Sequence, residues 1–179
     1  ITFVDKELEE NTKVFSSFKS YNSFLKSFGI IIDQEKRKLF ISNEIIRLSK
    51  TKKIKINLKE ELLEEITNIV EKPKILFCEY DKKYLTIPKE ILIITMQSHQ
   101  KYFPTFDSKD NLTNNFIVIS DKKDSKGLVK LGNERVIEAR LNDAEFFWKK
   151  NKSQNLVKQV SKLKNINYFK GLGTYFDKV

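Results

Sequence analysis

Cysteine and histidine each occur once in the 179 residues, as Cys78 and His99. One thiol excludes an internal disulfide, and one thiol with one imidazole excludes the usual zinc ligand sets, so no metal site is expected. A single Cys fits a reducing, cytoplasmic setting. Three prolines and five glycines are too few for a fibrous or low-complexity chain. No apolar run approaches the ~18 residues of a membrane span, and stretches such as Ile91-Leu92-Ile93-Ile94 have the length of core segments, so no membrane partner is expected. The chain opens on Ile1 with no apolar leader behind it and reads as a piece of a longer polypeptide.

Arginine is also scarce. Only Arg37, Arg47, Arg135 and Arg140 stand among 34 basic residues, and the 24 acidic ones leave a formal net charge of +10. That surplus attracts phosphate backbones in a salt-sensitive way. Charge alone leaves two readings open, a nucleic-acid contact and a solvated lysine-rich surface. What is plentiful is apolar content, 40% of residues, enough for one sizeable core at this length.

There is no internal repeat. Residues 1–20 form a polar leading segment whose Ile1-Thr2-Phe3-Val4 has the look of an edge strand. The pattern then turns helical around Phe24, Leu25 and Phe28, with Gly29 as a C-cap. Asp33 caps a helix to about Ser49, with Leu39, Ile45, Ile46 and Leu48 inside and Glu35-Lys36-Arg37-Lys38 in water. Lys-Ile alternation at 53–56 is strand-like, and Asn57 is placed to cap a helix over 58–71. Ile75-Leu76-Phe77-Cys78 reads as a buried strand. Pro88 opens a helix carried through Phe103, and Pro104 closes it. A polar hairpin turn at 106–112 leads into Phe116-Ile117-Val118-Ile119 as a core strand. A long helix over 124–150 and a last one over 154–164 precede Gly171-Leu172-Gly173, read as a flexible exit. Helices and strands without regular alternation predict an α+β fold with a small, largely antiparallel or mixed sheet. Residues 21–165 form that module, and 166–179 lead out of it.

No nucleophile elbow, P-loop, dinucleotide fingerprint or metalloprotease signature is present, so no catalytic residue is assigned. His99 falls on an apolar helical stripe with Leu92, Met96 and Phe103, which favours a packed core histidine. The competing role is ligand or RNA contact beside Gln97, Gln100 and Lys101. Ile137, Leu141, Ala144 and Trp148 form a second stripe, and Arg135 and Arg140 project away from it. In a chain that spends Lys freely, two Arg here suggest bidentate geometry. Their partners are either Glu138 and Asp143, three residues on, or RNA phosphates and a neighbouring subunit. The RNA-contact candidates are therefore Arg135, Arg140, Lys101, Gln100, His99 and Asn133.

Several blocks in register carry a resemblance: residues 62–73, Ile87-Pro88-Lys89-Glu90-Ile91, residues 96–104, Gly132-Asn133-Glu134-Arg135-Val136, residues 139–147, and Leu172-Gly173-Thr174. Together they resemble the β subunit of bacterial glycyl-tRNA synthetase, over about 21–179. Gln97 stands where that family often has Arg, and Asn142 where it has Ser. The resemblance implies an internal part of the β chain's N-terminal half, leading toward a helical domain of the HD type. It also implies a fold related to the editing-type domain of the phenylalanyl-tRNA synthetase β subunit. The partners it implies are a catalytic α subunit, glycine tRNA and the rest of the β chain, assembled as an α2β2 heterotetramer. ATP and Mg²⁺ belong to the α subunit in that family, so no cofactor is expected in this piece. The reading is thus a cytoplasmic, non-catalytic part of a glycine–tRNA ligase. The alternatives are a stand-alone RNA-binding module and an editing-type hydrolytic pocket around His99.

Overall fold

The computed structural model describes residues 14–178, so the apolar opening Ile1–Val4 lies outside the described residues. Among the described residues four strands form one sheet: β1 (Lys55–Ile56), β2 (Lys74–Glu79), β3 (Phe103–Phe106) and β4 (Leu112–Ser120). All pairings are antiparallel, in the spatial order β1-β3-β4-β2, which bears out the α+β expectation. β2 pairs along its whole length with residues 115–120 of β4, with Leu76 opposite Val118 and Cys78 opposite Phe116.

Successive side chains of a strand point to opposite faces. In β4, Phe116 and Val118 enter one core, while Ile117 and Ile119 enter the other. In β2, Leu76 and Cys78 side with Phe116, and Ile75 and Phe77 side with Ile117. Both faces are therefore covered. This is why these strands read as continuous apolar runs rather than as an alternation.

One face is covered by α2 (Gln34–Lys52) and α3 (Glu60–Ile69), through Ile41, Ile45, Leu62, Leu63 and Ile66. The other is covered by α4 (Lys89–Ile94), a π turn (Thr95–His99) and α5 (Leu128–Ser153), through Leu92, Met96, Ile137 and Leu141. α1 (Phe18–Ser27) precedes α2, and Gly29 follows it at φ +79°, donating its N–H to the Lys26 carbonyl at 2.9 Å. Two short pieces, α6 (Leu156–Gln159) and α7 (Tyr175–Lys178), close the described chain.

Four local expectations are corrected. The first is the inner face of α2. Asp33 caps the helix as expected, accepting the Lys36 N–H at 3.1 Å. Its inner face, however, is Arg37, Ile41 and Ile45, while Leu39 is 61% exposed and Ile46 42%. Arg37 is buried with its guanidinium donating to three backbone carbonyls. Nε donates to the Thr67 carbonyl at 2.8 Å, and Nη1 donates to the Ile31 and Ile32 carbonyls. The clamp ties the α1–α2 connection to the last turn of α3, where the helix dipole favours a cation.

The second correction is at α3, which starts after Lys59 with no side-chain cap. Asn57 supplies only its carbonyl, to the Lys59 N–H, and Glu60 and Glu61 in the first turn complement the dipole instead.

The third is the helix expected through Phe103. It ends in the π turn, and Lys101 at φ +57° reverses the chain into β3. Pro104 lies in that strand rather than terminating a helix. β1 pairs only with Thr105 and Phe106, so at Pro104 the strand has a neighbour on one side alone, next to a register shift.

The fourth is the glycine-rich tail, which closes on itself instead of running free. Asn167 bridges to Thr174, Tyr168 N–H donates to the Gly173 carbonyl at 3.0 Å, and Leu172 N–H to the Phe169 carbonyl at 3.1 Å. Gly171 and Gly173, at φ +84° and +83°, supply the left-handed positions this hairpin needs. A Cβ at Gly173 would stand 2.7 Å from Asp177 Oδ2.

Candidate nucleic-acid interface

α5 is seated by polar contacts that fix its rotation. At its start the Asp124 carboxylate accepts the Val129 and Lys130 N–H groups, at 3.0 and 2.8 Å. One turn on, Tyr102 Oη donates to Asn133 Oδ1 at 2.7 Å, and Asn133 Nδ2 donates to the Val129 carbonyl at 2.7 Å. Glu134 Oε1 accepts the Glu79 N–H of β2 at 2.9 Å. Two turns further, Tyr84 Oη donates to Asn142 Oδ1 at 2.7 Å. With Ile137 and Leu141 sealed against the sheet, this rotation places Arg135 and Arg140 in solvent.

The ion pairs Arg135–Glu138 and Arg140–Asp143, open on spacing alone, do not form among the described residues. The two arginines differ in surroundings. Arg135 lines an open cleft of about 390 Å³ with Glu79, Asp81, Glu134, Glu138 and Lys82. Asp81 there is held below the ordinary carboxylate range, first by the Lys83 N–H it accepts and then by the Lys83 charge. Arg135 is thus a cation among carboxylates, and Arg140 lies outside that cleft lining.

Of the remaining candidates, His99, Gln100 and Lys101 sit at the end of the π turn, beside α5, and Asn133 lies in α5 itself. His99 is exposed, so the packed core histidine expected from the stripe is corrected. The stripe fails because the helix does not continue. Leu92 and Met96 face α5, whereas Phe103 belongs to β3 and the opposite core. Gln100 is half-buried and caps the turn. Lys101 Nζ pairs with Glu65 Oε1 at 2.8 Å. Asn133 spends both ends of its amide inside the chain, on Tyr102 and Val129. Of the six candidates, Arg135, Arg140 and His99 are the exposed side chains, and Asn133 joins the two groups through Tyr102.

Cys78 is buried as a free thiol, and burial, assisted by the Glu134 charge, pushes it up to about 12. Burial likewise pushes the Tyr102 phenol up to about 12, which keeps it a donor to Asn133. Among the described residues, no group of three or more His, Cys, Asp or Glu could hold a metal ion, and no helix is long and apolar enough to cross a membrane.

The family model of the glycyl-tRNA synthetase β subunit matches residues 1–179. This chain belongs to the glycyl-tRNA synthetase β-subunit family. It is 42% identical over 161 residues to the glycine–tRNA ligase β subunit of Dictyoglomus thermophilum, covering 89% of this chain and 23% of that one. It is 37% identical over 172 residues to that of Thermodesulfovibrio yellowstonii, covering 96% and 25%. With that of Lactobacillus gasseri it shares 38% over 162 residues, covering 90% and 24%. The chain thus spans about a quarter of the length of the curated relatives it matches.

Within the synthetase-like blocks, side chains divide between seating the helix and facing outward. Asn133, Glu134 and Asn142 make the seat, and Arg135 and Arg140 lie outside. Reading the sequence alone missed Glu134 and Asn142, whose partners lie 55 and 58 residues away and leave no local pattern. It also missed Arg37, although the spacing Arg37, Ile41, Ile45 puts that residue on the buried face of its helix.

Proposed function

We propose that this chain serves as part of the β subunit of a glycyl-tRNA synthetase, contributing contacts to glycine tRNA and to the assembly with a catalytic α subunit. In this reading it works in the cytoplasm within an α2β2 enzyme, and glycine, ATP and Mg²⁺ are engaged by the α subunit. One observation carries the tRNA part. α5 spends Asn133, Glu134 and Asn142 on Tyr102, Glu79 and Tyr84, yet leaves Arg140 exposed with no ion pair among the described residues. An unpaired guanidinium on a rigid helix is suited to a phosphate, which it meets with two parallel N–H donors.

The test is Arg140→Ala in the assembled α/β enzyme, read as separate kinetic steps. The KM for glycine tRNA should rise roughly 5- to 10-fold, as expected for about 1–1.4 kcal/mol of lost phosphate contact. Glycine-dependent ATP–pyrophosphate exchange should stay unchanged. An unaltered KM for tRNA would overturn the assignment.

A further inference from the structure

The charge of the chain is unevenly placed. Residues 149–178 hold eight lysines against one carboxylate, Asp177, a net +7 in thirty residues where all 179 carry +10. The same segment carries four exposed aromatic side chains. Phe169 is 67% exposed, and Tyr168, Tyr175 and Phe176 are 40%, 41% and 38% exposed. Upstream, Phe146 and Phe147 at the end of α5 are 58% and 57% exposed. Among the described residues none beyond Leu141 is buried, so the end of α5 and the segment after it lie at the surface.

This arm is built rather than loose. The hairpin between Asn167 and Thr174 presents Phe169, Lys170 and Leu172 at its tip, and Asp177 locks its base by accepting both Thr174 N–H and Oγ1 at 2.7 Å. Lys164 lies 4.5 Å over the Phe176 ring, and Lys178 lies 4.1 Å over that of Tyr168. Lys158, Lys162 and Lys170 make no ion pair among the described residues.

We infer that this arm is a contact surface for an unpaired stretch of the bound tRNA, with lysines on phosphates and Phe169 stacking on a base. The inference rests on the tRNA reading proposed above and places a second contact apart from Arg135 and Arg140. Charge decides between occupants. A net +7 surface attracts a polyanion, and aromatic rings set among lysines are the pairing that binds single-stranded nucleic acid without base-edge readout. A protein surface would cover the apolar groups equally well, but would have to bring several carboxylates to neutralise the lysines.

The experiment uses the full-length β subunit assembled with its α subunit and a glycine tRNA transcript, titrated at several salt concentrations. Phe169→Ala should weaken binding roughly 5- to 150-fold, the usual range for one lost base stack, with an unchanged salt slope. Lys158→Gln, Lys162→Gln and Lys170→Gln combined should flatten the slope of log K against log salt by about 2. Wild-type affinity and slope in both variants, while the Arg140→Ala enzyme is weakened, would overturn this inference and leave the tRNA reading standing. Loss of α/β assembly or a lowered melting temperature with an unchanged slope would show a protein interface and equally overturn it. An unmutated enzyme that bound no tRNA would overturn both.

Discussion

Glu134 of α5 accepts the backbone N–H of Glu79 on β2 at 2.9 Å, so a side chain of a covering helix caps the edge strand of the sheet. Lys130 Nζ stands 3.6 Å from the same carboxylate oxygen. Removing the carboxylate leaves an edge N–H to water and frees one turn of the helix from the sheet. Glu134→Ala is expected to destabilise the fold by about 1–2 kcal/mol, and Glu134→Gln by less because its amide oxygen still accepts. Chemical denaturation with an unchanged m-value checks both.

Arg37 should be among the costliest single positions. Its guanidinium satisfies three backbone carbonyls from two segments, so truncation leaves buried acceptors unpaired. Arg37→Ala is expected to cost about 2–4 kcal/mol. Arg37→Lys should recover only part, because an ammonium cannot reach the Thr67 and Ile31 carbonyls in the same fork geometry. A lysine variant that melts with the wild type would refute the clamp.

The Cys78 thiol should be silent to an aromatic disulfide reagent at pH 8 until the protein unfolds. Its ionisation is raised from 9.0 to about 12, chiefly by burial, so the folded state favours the neutral thiol. The sign follows: this contribution to stability is complete below pH 9 and is lost as pH rises toward 12. Labelling at the rate of global unfolding is the expected outcome, and immediate labelling of the folded protein would contradict it.

At the base of the hairpin, Asp177 behaves oppositely. The Thr174 N–H, then its hydroxyl, hold the carboxyl below its ordinary value. That contribution is present above the ordinary carboxylate range and is lost as pH falls through the lower folded value. The Thr174 amide proton resonance should shift in that acid window, and Asp177→Asn should abolish the titration. Gly173→Ala should open the same hairpin, since a Cβ there collides with Asp177 at a φ of +83°.

Much of the fold was legible because single periodicities specify it. Ile75–Cys78 and Phe116–Ile119 are buried on both faces, and Ile137 and Leu141 keep helical spacing over a sealed face. What misled was information from outside the window. The stripe Leu92-Met96-His99-Phe103 is an unbroken helical pattern, but the π turn and the left-handed Lys101 send Phe103 to the far side of the sheet. The run Glu35-Lys36-Arg37-Lys38 looks uniformly solvated, and only the carbonyls of Thr67, Ile31 and Ile32 single out Arg37. For the candidate interface, spacing located Arg135 and Arg140 on α5 but offered Glu138 and Asp143 as equal partners. In the structure neither of those pairs forms among the described residues.

Contact of the exposed α5 arginines, Arg140 above all, with tRNA is tested most directly by equilibrium binding of glycine tRNA to the assembled enzyme. Wild type and the double variant Arg135→Ala/Arg140→Ala would be compared from low to physiological salt. At physiological salt the account predicts at least about 5-fold weaker binding. It also predicts a salt slope flatter by roughly 1–2 and a melting temperature matching the wild type. Unchanged affinity and slope would contradict it.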